Sequence, residues 1–188
     1  FKTIIMKRIL FTFLLCYSVS LFAQNVSFTS TGVTGSSACL GQQTTFVGSS
    51  IYPDTSILSW NWDLDNDGQY DDAWGSSVGN MFPQDGSYPV SLKVVLKNGP
   101  VDSMPQPDTV IVNPLPQANF TVENMWEGQT AVFTNNSVIS SGSISQYYWD
   151  FRNDGTDNDS GPVVTFNCGP AETYQTKLRC ISDKGCEA

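Results

Sequence analysis

The chain has 188 residues, 40% of them hydrophobic, with 11 Phe, 7 Tyr and 5 Trp. That is enough apolar material for two small cores. Its formal net charge is −9 and it has no histidine and no CxxC pair. Such a surface repels nucleic acid and anionic lipid, Ser-His-Asp and Cys-His catalysis are excluded, and zinc or haem has no ligand pattern.

Residues 1–23 read as a signal peptide. Met6-Lys7-Arg8 is a basic start, Ile9 to Leu15 an apolar run, and Ser20-Leu21-Phe22-Ala23 a cleavage point before Gln24. The run is too short for a membrane span, and Leu15 stands before Cys16 where a bacterial lipobox wants a small residue. The first residue is Phe, so Met6 reads as the true start. Removal of 1–23 leaves 6 basic and 18 acidic residues, a net charge of −12 that suits a secreted surface and attracts cations.

Alternation then predicts strands in order: Val26 to Phe28, Gln43 to Gly48, Ile57 to Leu64, Tyr70 to Trp74, Val78 to Phe82, Tyr88 to Leu96 and Thr109 to Val112. In Ile57–Leu64, the side chains of Ile57, Ser59, Asn61 and Asp63 point one way and those of Leu58, Trp60, Trp62 and Leu64 the other. Pro114 and Pro116 stiffen a short linker at 114–117. Beyond it, strands are expected at Ala118–Val122, Thr130–Thr134, Ile144–Phe151, Val163–Phe166 and Thr173–Ile181, and no stretch has a helical period.

The two halves repeat each other. An offset of 87 carries Gly41-Gln42 onto Gly128-Gln129, Phe46 onto Phe133, Trp62 onto Trp149 and Gly68 onto Gly155; an offset of 86 carries Tyr88 and Leu92 onto Tyr174 and Leu178. That period suits a small β-sandwich and is too long for a solenoid. The fold class is therefore all-β: two tandem sandwiches at 24–113 and 118–188. The second lacks a counterpart of Thr109–Val112, its last strand, as in a chain cut within a longer protein. Tyr88 and Tyr174, each opening the longest strand of its copy, are placed similarly to the tyrosine corner of immunoglobulin-like sandwiches.

Four cysteines follow residue 23: Cys39, Cys168, Cys180 and Cys186. They allow three full pairings. Cys168 and Cys180 are expected at opposite ends of the sandwich, about 20 Å apart, too far for a bridge. Cys180–Cys186 and Cys39–Cys186 both stay open.

The one motif with ligand chemistry is Asp63-x-Asp65-x-Asp67-Gly68-x-x-Asp71. It puts side-chain oxygens at turn positions 1, 3, 5 and 9, and Gln69 could add its carbonyl, a donor set suited to calcium. Trp74 stands where an EF-hand needs its bidentate Glu, so the loop resembles instead the D-x-D-x-D-G-x-x-D loops that join strands in integrin propellers. The competing reading is that Asp63 bonds loop backbone. In the second copy Arg152 replaces Asp65 and Asn158 replaces Asp71; the guanidinium is expected to neutralise Asp150 and Asp154, with no metal bound. Trp74 and Trp126, in loop-like settings, are the ligand-contact candidates. Trp62 and Trp149 read as core, Trp60 as core or core rim, and Tyr147 and Tyr148 as weaker candidates.

The segments Trp62-Asp63-Leu64-Asp65-Asn66-Asp67-Gly68 and Gly86-Ser87-Tyr88-Pro89-Val90-Ser91-Leu92-Lys93-Val94 resemble the paired motifs of polycystic kidney disease (PKD) domains. Trp149-Asp150-Phe151-Arg152-Asn153-Asp154-Gly155 and Tyr174-Gln175-Thr176-Lys177-Leu178 repeat them more loosely. The resemblance implies extracellular immunoglobulin-like sandwiches, commonly spacers or binding modules of bacterial surface proteins and secreted hydrolases. The expected function is a non-catalytic adhesion or spacer module, secreted or at the cell surface, calcium-stabilised in the first copy. The alternative is a carbohydrate-binding accessory module. Partners would be other protein domains or extracellular polysaccharide, with no nucleic acid and no membrane insertion.

Overall fold

The computed structural model describes residues 25–31, 37–99, 101–104, 107–170 and 172–188. The signal-peptide reading of 1–23 lies outside the described residues. Fifteen strands form, and no α-helix among the described residues. No helix there is long and apolar enough to cross a membrane, which says nothing of a β-barrel.

Nine strands build a first unit: β1 (Val26–Thr31), β2 (Ser37–Cys39), β3 (Thr44–Ser50), β4 (Ile57–Asp63), β5 (Ala73–Trp74), β6 (Ser77–Asn80), β7 (Gly86–Leu96), β8 (Val101–Ser103) and β9 (Asp108–Asn113). One sheet has the order β1-β3-β6 and the other β2-β9-β7-β4-β5, with β8 also paired to β7. Alternating apolar residues from both sheets meet in one core, where Phe28 and Phe46 of the first sheet pack on Trp62 of the second with ring centroids 5.5 and 5.8 Å apart. Six strands build a second unit: β10 (Phe120–Glu123), β11 (Thr130–Asn135), β12 (Ile144–Asp150), β13 (Asp159–Ser160), β14 (Val163–Asn167) and β15 (Lys177–Ser182). Its sheets, β10-β11-β14 and β13-β12-β15, enclose a separate core in which Phe120 and Phe133 pack on Trp149. Among the described residues, no strand pairing joins one unit to the other.

Three sequence expectations change. A β-bulge between Ile57 and Ser59 puts one extra residue into β4, so Ile57 turns into the core and Leu58 is 64% exposed. The facing predicted for Ile57 and Leu58 is thus reversed, while Trp60, Trp62 and Leu64 keep theirs. The edge strand expected from Tyr70 contracts to Ala73–Trp74, because Asp71 and Asp72 belong to the preceding turn. The strand expected from Thr173 begins only at Lys177. In the first unit the corresponding half of β7 is held by β9, from Gly86↔Val112 to Val90↔Asp108; Glu172–Thr176 pair with no strand among the described residues.

Both tyrosine hydroxyls reach upstream backbone, though with opposite polarity. Tyr88 donates to the carbonyl of Gln84 at 2.9 Å, and Tyr174 accepts from the N–H of Gly169 at 2.9 Å. Cys39 and Cys186 form the disulfide, 147 residues apart in sequence, and it joins the two units. Cys39 is the register partner of Asn113, the residue that leads into the proline linker, so the bridge and the linker leave the first unit side by side. Cys168 and Cys180 are buried free thiols.

Candidate functional site

The loop after β4 is built by its own aspartates. Asp63, nearly fully buried, accepts from the N–H groups of Asn66 at 2.6 Å and Gly68 at 3.1 Å. Those bonds close the turn over residues in left-handed conformation, Asn66 at φ 62° and Gly68 at φ 85°, where asparagine and glycine are the tolerated types. Asp65 accepts from the N–H of Asp67, and Asp67 from both the main-chain and side-chain N–H of Gln69. Asp72 accepts from the N–H of Leu64 at 2.6 Å and of Asp65 at 3.2 Å, tying the far side of the loop back to its start. A ligand oxygen from each of Asp63, Asp65 and Asp67 lies within 4.8 Å of the others. The structure therefore gathers three of the five sequence candidates. Gln69 stands beside them through Asp67, and Asp71 is outside the cluster. The backbone-bonding role of Asp63 is also present, so its oxygens already have partners.

The loop after β12 repeats the frame. Asp150 accepts from the N–H groups of Arg152, Asp154 and Gly155 at 3.1, 3.2 and 2.8 Å. Burial pushes its carboxyl up, but these backbone donors outweigh burial and hold it below the ordinary 3.8. Asn158 accepts from the N–H of Phe151 as Asp72 does from Leu64, and the N–H groups of Asp72 and Asn158 bond the carbonyls of Trp62 and Trp149. Asn158 is thus the counterpart of Asp72. The pairing with Asp71 assumed from the sequence is off by one, because the first loop has one extra residue after Gly68. Arg152 does not neutralise Asp150 or Asp154. It lines a hollow with Glu172 and Tyr174, and none of the ion pairs among the described residues includes it. Arg179 of β15 instead pairs with Asp157, farther along the loop, and with Glu187, and lies over the Tyr148 ring. Its position in the first unit is taken by Lys93, over the Tyr70 ring.

The sequence model of the PKD domain family matches residues 29–112, the span of the first unit from β1 to β9. Residues 29–112 form a PKD domain. The aspartate loop just described is therefore the loop of a PKD domain, and PKD domains are typically non-catalytic modules. Among solved structures the chain is similar to the fibronectin(III)-like modules of CbhA from Clostridium thermocellum, at 15% identity and a TM-score of 0.46, covering 87% of this chain and 88% of that one. It is also similar to three N-terminal domains of the Hoc capsid protein of bacteriophage RB49, at 13% identity and a TM-score of 0.42, covering 88% and 57%. Mouse nectin-like molecule 4 follows at 16% and 0.37, covering 88% and 61%. None of these bears on what the chain does. No curated protein matches the chain significantly.

The aromatic candidates divide between the PKD domain and the second unit. Trp74, on edge strand β5 of the PKD domain, is 66% exposed. Trp126, in the second unit, is 74% exposed at the mouth of a hollow of about 420 Å³ shared with Met125, Glu127, Cys168–Pro170 and Glu172–Tyr174. Trp60 is half-buried against the PKD core, as expected for a core-rim ring. Sequence reasoning missed this hollow, because its walls come from segments almost 50 residues apart whose approach no local pattern signals.

Proposed function

We propose that the chain is a non-catalytic extracellular spacer or adhesion module, which holds neighbouring domains at a set separation. The observation that carries this reading is the double connection between the units, a proline-containing linker beside the Cys39–Cys186 bridge. A proline-containing linker is extended and resists bending, and a second covalent tie next to it removes most of the remaining rocking. Single-molecule energy transfer between a dye on each unit tests it. The oxidised protein should give one narrow distance distribution that broadens on reduction. A broad distribution in the oxidised protein would sink the spacer reading. The bridge itself suits an oxidising compartment, which supports secretion or cell-surface display.

Two finer properties belong to the same proposal. The Asp63, Asp65 and Asp67 oxygens would hold calcium in the PKD domain, with Gln69 and Asp71 completing the shell if the loop closes on the ion. Calcium should then raise the melting temperature of chelator-treated protein, and Asp65→Asn with Asp67→Asn should abolish that rise. No calcium-dependent shift in the wild type removes the site. The alternative reading, a polysaccharide-binding accessory module, is supported by the exposure of Trp74 and Trp126, since flat rings stack on the apolar faces of sugars. Pull-down on insoluble polysaccharides should then weaken for Trp74→Ala or Trp126→Ala; equal retention of all three proteins ends that reading.

A further inference from the structure

The two aspartate loops differ by one residue, and the difference opens a second hollow, on the outward face of the β13-β12-β15 sheet. Register fixes the equivalences between the units. Asp63 faces Ser91 as Asp150 faces Lys177, and Asn61 faces Lys93 as Tyr148 faces Arg179. In the first unit the loop lays Tyr70 against the Lys93 ammonium, 4.4 Å from the ring centroid. The second loop runs Gly155-Thr156-Asp157-Asn158 against Gly68-Gln69-Tyr70-Asp71-Asp72, so it is one residue shorter and has no aromatic there. At that place lies a hollow of about 240 Å³ lined by Tyr148, Asp150, Gly155, Asp157, Lys177 and Arg179. Its walls are β12, β15 and the loop between β12 and β13. Since β12 is already paired on one side with β13 and on the other with β15, no further strand belongs between these walls.

We propose that this hollow is a sugar-binding subsite that holds one neutral hexose or pentose unit by its vicinal hydroxyls. The subsite deepens the polysaccharide-binding reading and rests on it for the ligand class. Charge balance selects a neutral ligand: two carboxylates and two cations line the hollow, and the net charge of −9 around it repels polyanions. The polar groups are fixed before a ligand arrives. Three loop N–H groups hold Asp150, while Asp157 and Glu187 hold Arg179 over the Tyr148 ring. Lys177 is the spare donor, since it enters no ion pair and donates no side-chain hydrogen bond among the described residues. Asp150 is the spare acceptor: a carboxylate has about four lone-pair sites, and its N–H bonds leave one. The two residues face each other across the sheet, with backbones about 5 Å apart. A sugar hydroxyl both donates and accepts, so adjacent hydroxyls can bond Asp150 and Lys177 together, each bond charge-assisted. One open site on Asp150 suits one hydroxyl and not the three donors of an ammonium, which sets a sugar above a free amino acid.

Cellohexaose, xylohexaose and mannohexaose, titrated into the isotope-labelled whole protein, test this by amide magnetic resonance. At least one should shift the Gly155 and Arg179 amides in a saturable way. Lys177→Ser, which copies the first unit at this position, should weaken that binding by about tenfold or more, the share of one charge-assisted bond. Thr156→Tyr, which supplies the ring that Tyr70 gives the first loop, should block it. Both side chains are exposed, so the amide spectrum away from the hollow should stay that of the wild type. No saturable shift with any of the three sugars, unchanged affinity in Lys177→Ser, or the same shifts from alanine in place of a sugar overturns the subsite. Pull-down that is lost in Trp74→Ala or Trp126→Ala while no sugar shifts Gly155 in the wild type also overturns it, and leaves the polysaccharide reading standing.

Discussion

Reduction of the Cys39–Cys186 bridge should destabilise the second unit far more than a single lost contact would, and the size of the effect follows from where the bridge sits. Across the full 147-residue separation, loop-closure entropy gives about 5 kcal/mol for unfolding both units together. The informative case is unfolding of the second unit alone. With the first unit folded, Cys39 stays opposite Asn113, so the bridge and the peptide chain leave almost the same point. The loop closed in the unfolded second unit then runs from Asn113 to Cys186, about 73 residues, worth about 4 kcal/mol by the same relation. For a unit of this size that is a fall in midpoint of roughly 15–30 °C. Scanning calorimetry with and without reductant measures it, and hydrogen exchange around β12 and β15 assigns the transition to the second unit. An unchanged midpoint for that transition would refute the argument, and so would peptide mapping that recovers Cys180–Cys186 in place of Cys39–Cys186.

Other perturbations are read the same way. Asp63→Ala orphans the N–H groups of Asn66 and Gly68 and should cost about 1–3 kcal/mol for each one left buried and unpaired, measured by denaturant unfolding. Asp150 has a folded-state value below its ordinary 3.8, so its contribution is present above that value and is lost as pH falls through the depressed one; Asp150→Asn should flatten acid unfolding of the second unit below pH 3.8. A Cβ at Gly48 would lie 2.7 Å from the Trp60 ring and 3.0 Å from Leu92, so Gly48→Ala should destabilise the first unit by about 1–3 kcal/mol through overpacking, seen as a lower thermal midpoint.

How far the sequence foretold this structure depends on how local each cause is. Alternation is a local signal, and β4, β7 and β12 were legible from it. Their aromatic cores followed, since Trp62 and Trp149 occupy the same place in two copies. The Ile57–Leu58 reversal was not legible, because the bulge is set by pairing with Leu96 and Val95 on β7 and leaves no mark in β4 itself. Residues 173–176 have strand composition, yet an edge forms a ladder only when another strand meets it. The aspartate loops were half legible. Spacing revealed a cluster at Asp63, Asp65 and Asp67, but the inward turn of Asp72 in place of Asp71 depends on a one-residue difference that only the backbone bonds to Leu64 and Phe151 expose. Arg179, from a distant strand, rather than the adjacent Arg152, pairs with the second loop at Asp157 for the same reason: charge pairing across a sheet is invisible to sequence spacing.

The position of the bridge also decides how the chain carries load. Tension applied at the start of β1 and at Ala188 reaches Cys39, crosses directly to Cys186 and leaves within two residues, so residues 40–185 hang outside the force path. While the bridge is intact β1 and its pairing with β3 carry the load, whereas the Trp149 core and the aspartate loops lie outside that path. Reduction would put them in series with the load and release roughly 500 Å of contour length at about 3.3–3.6 Å per residue. In an oxidising medium the chain is then a short inextensible link, and in a reducing one a long compliant one.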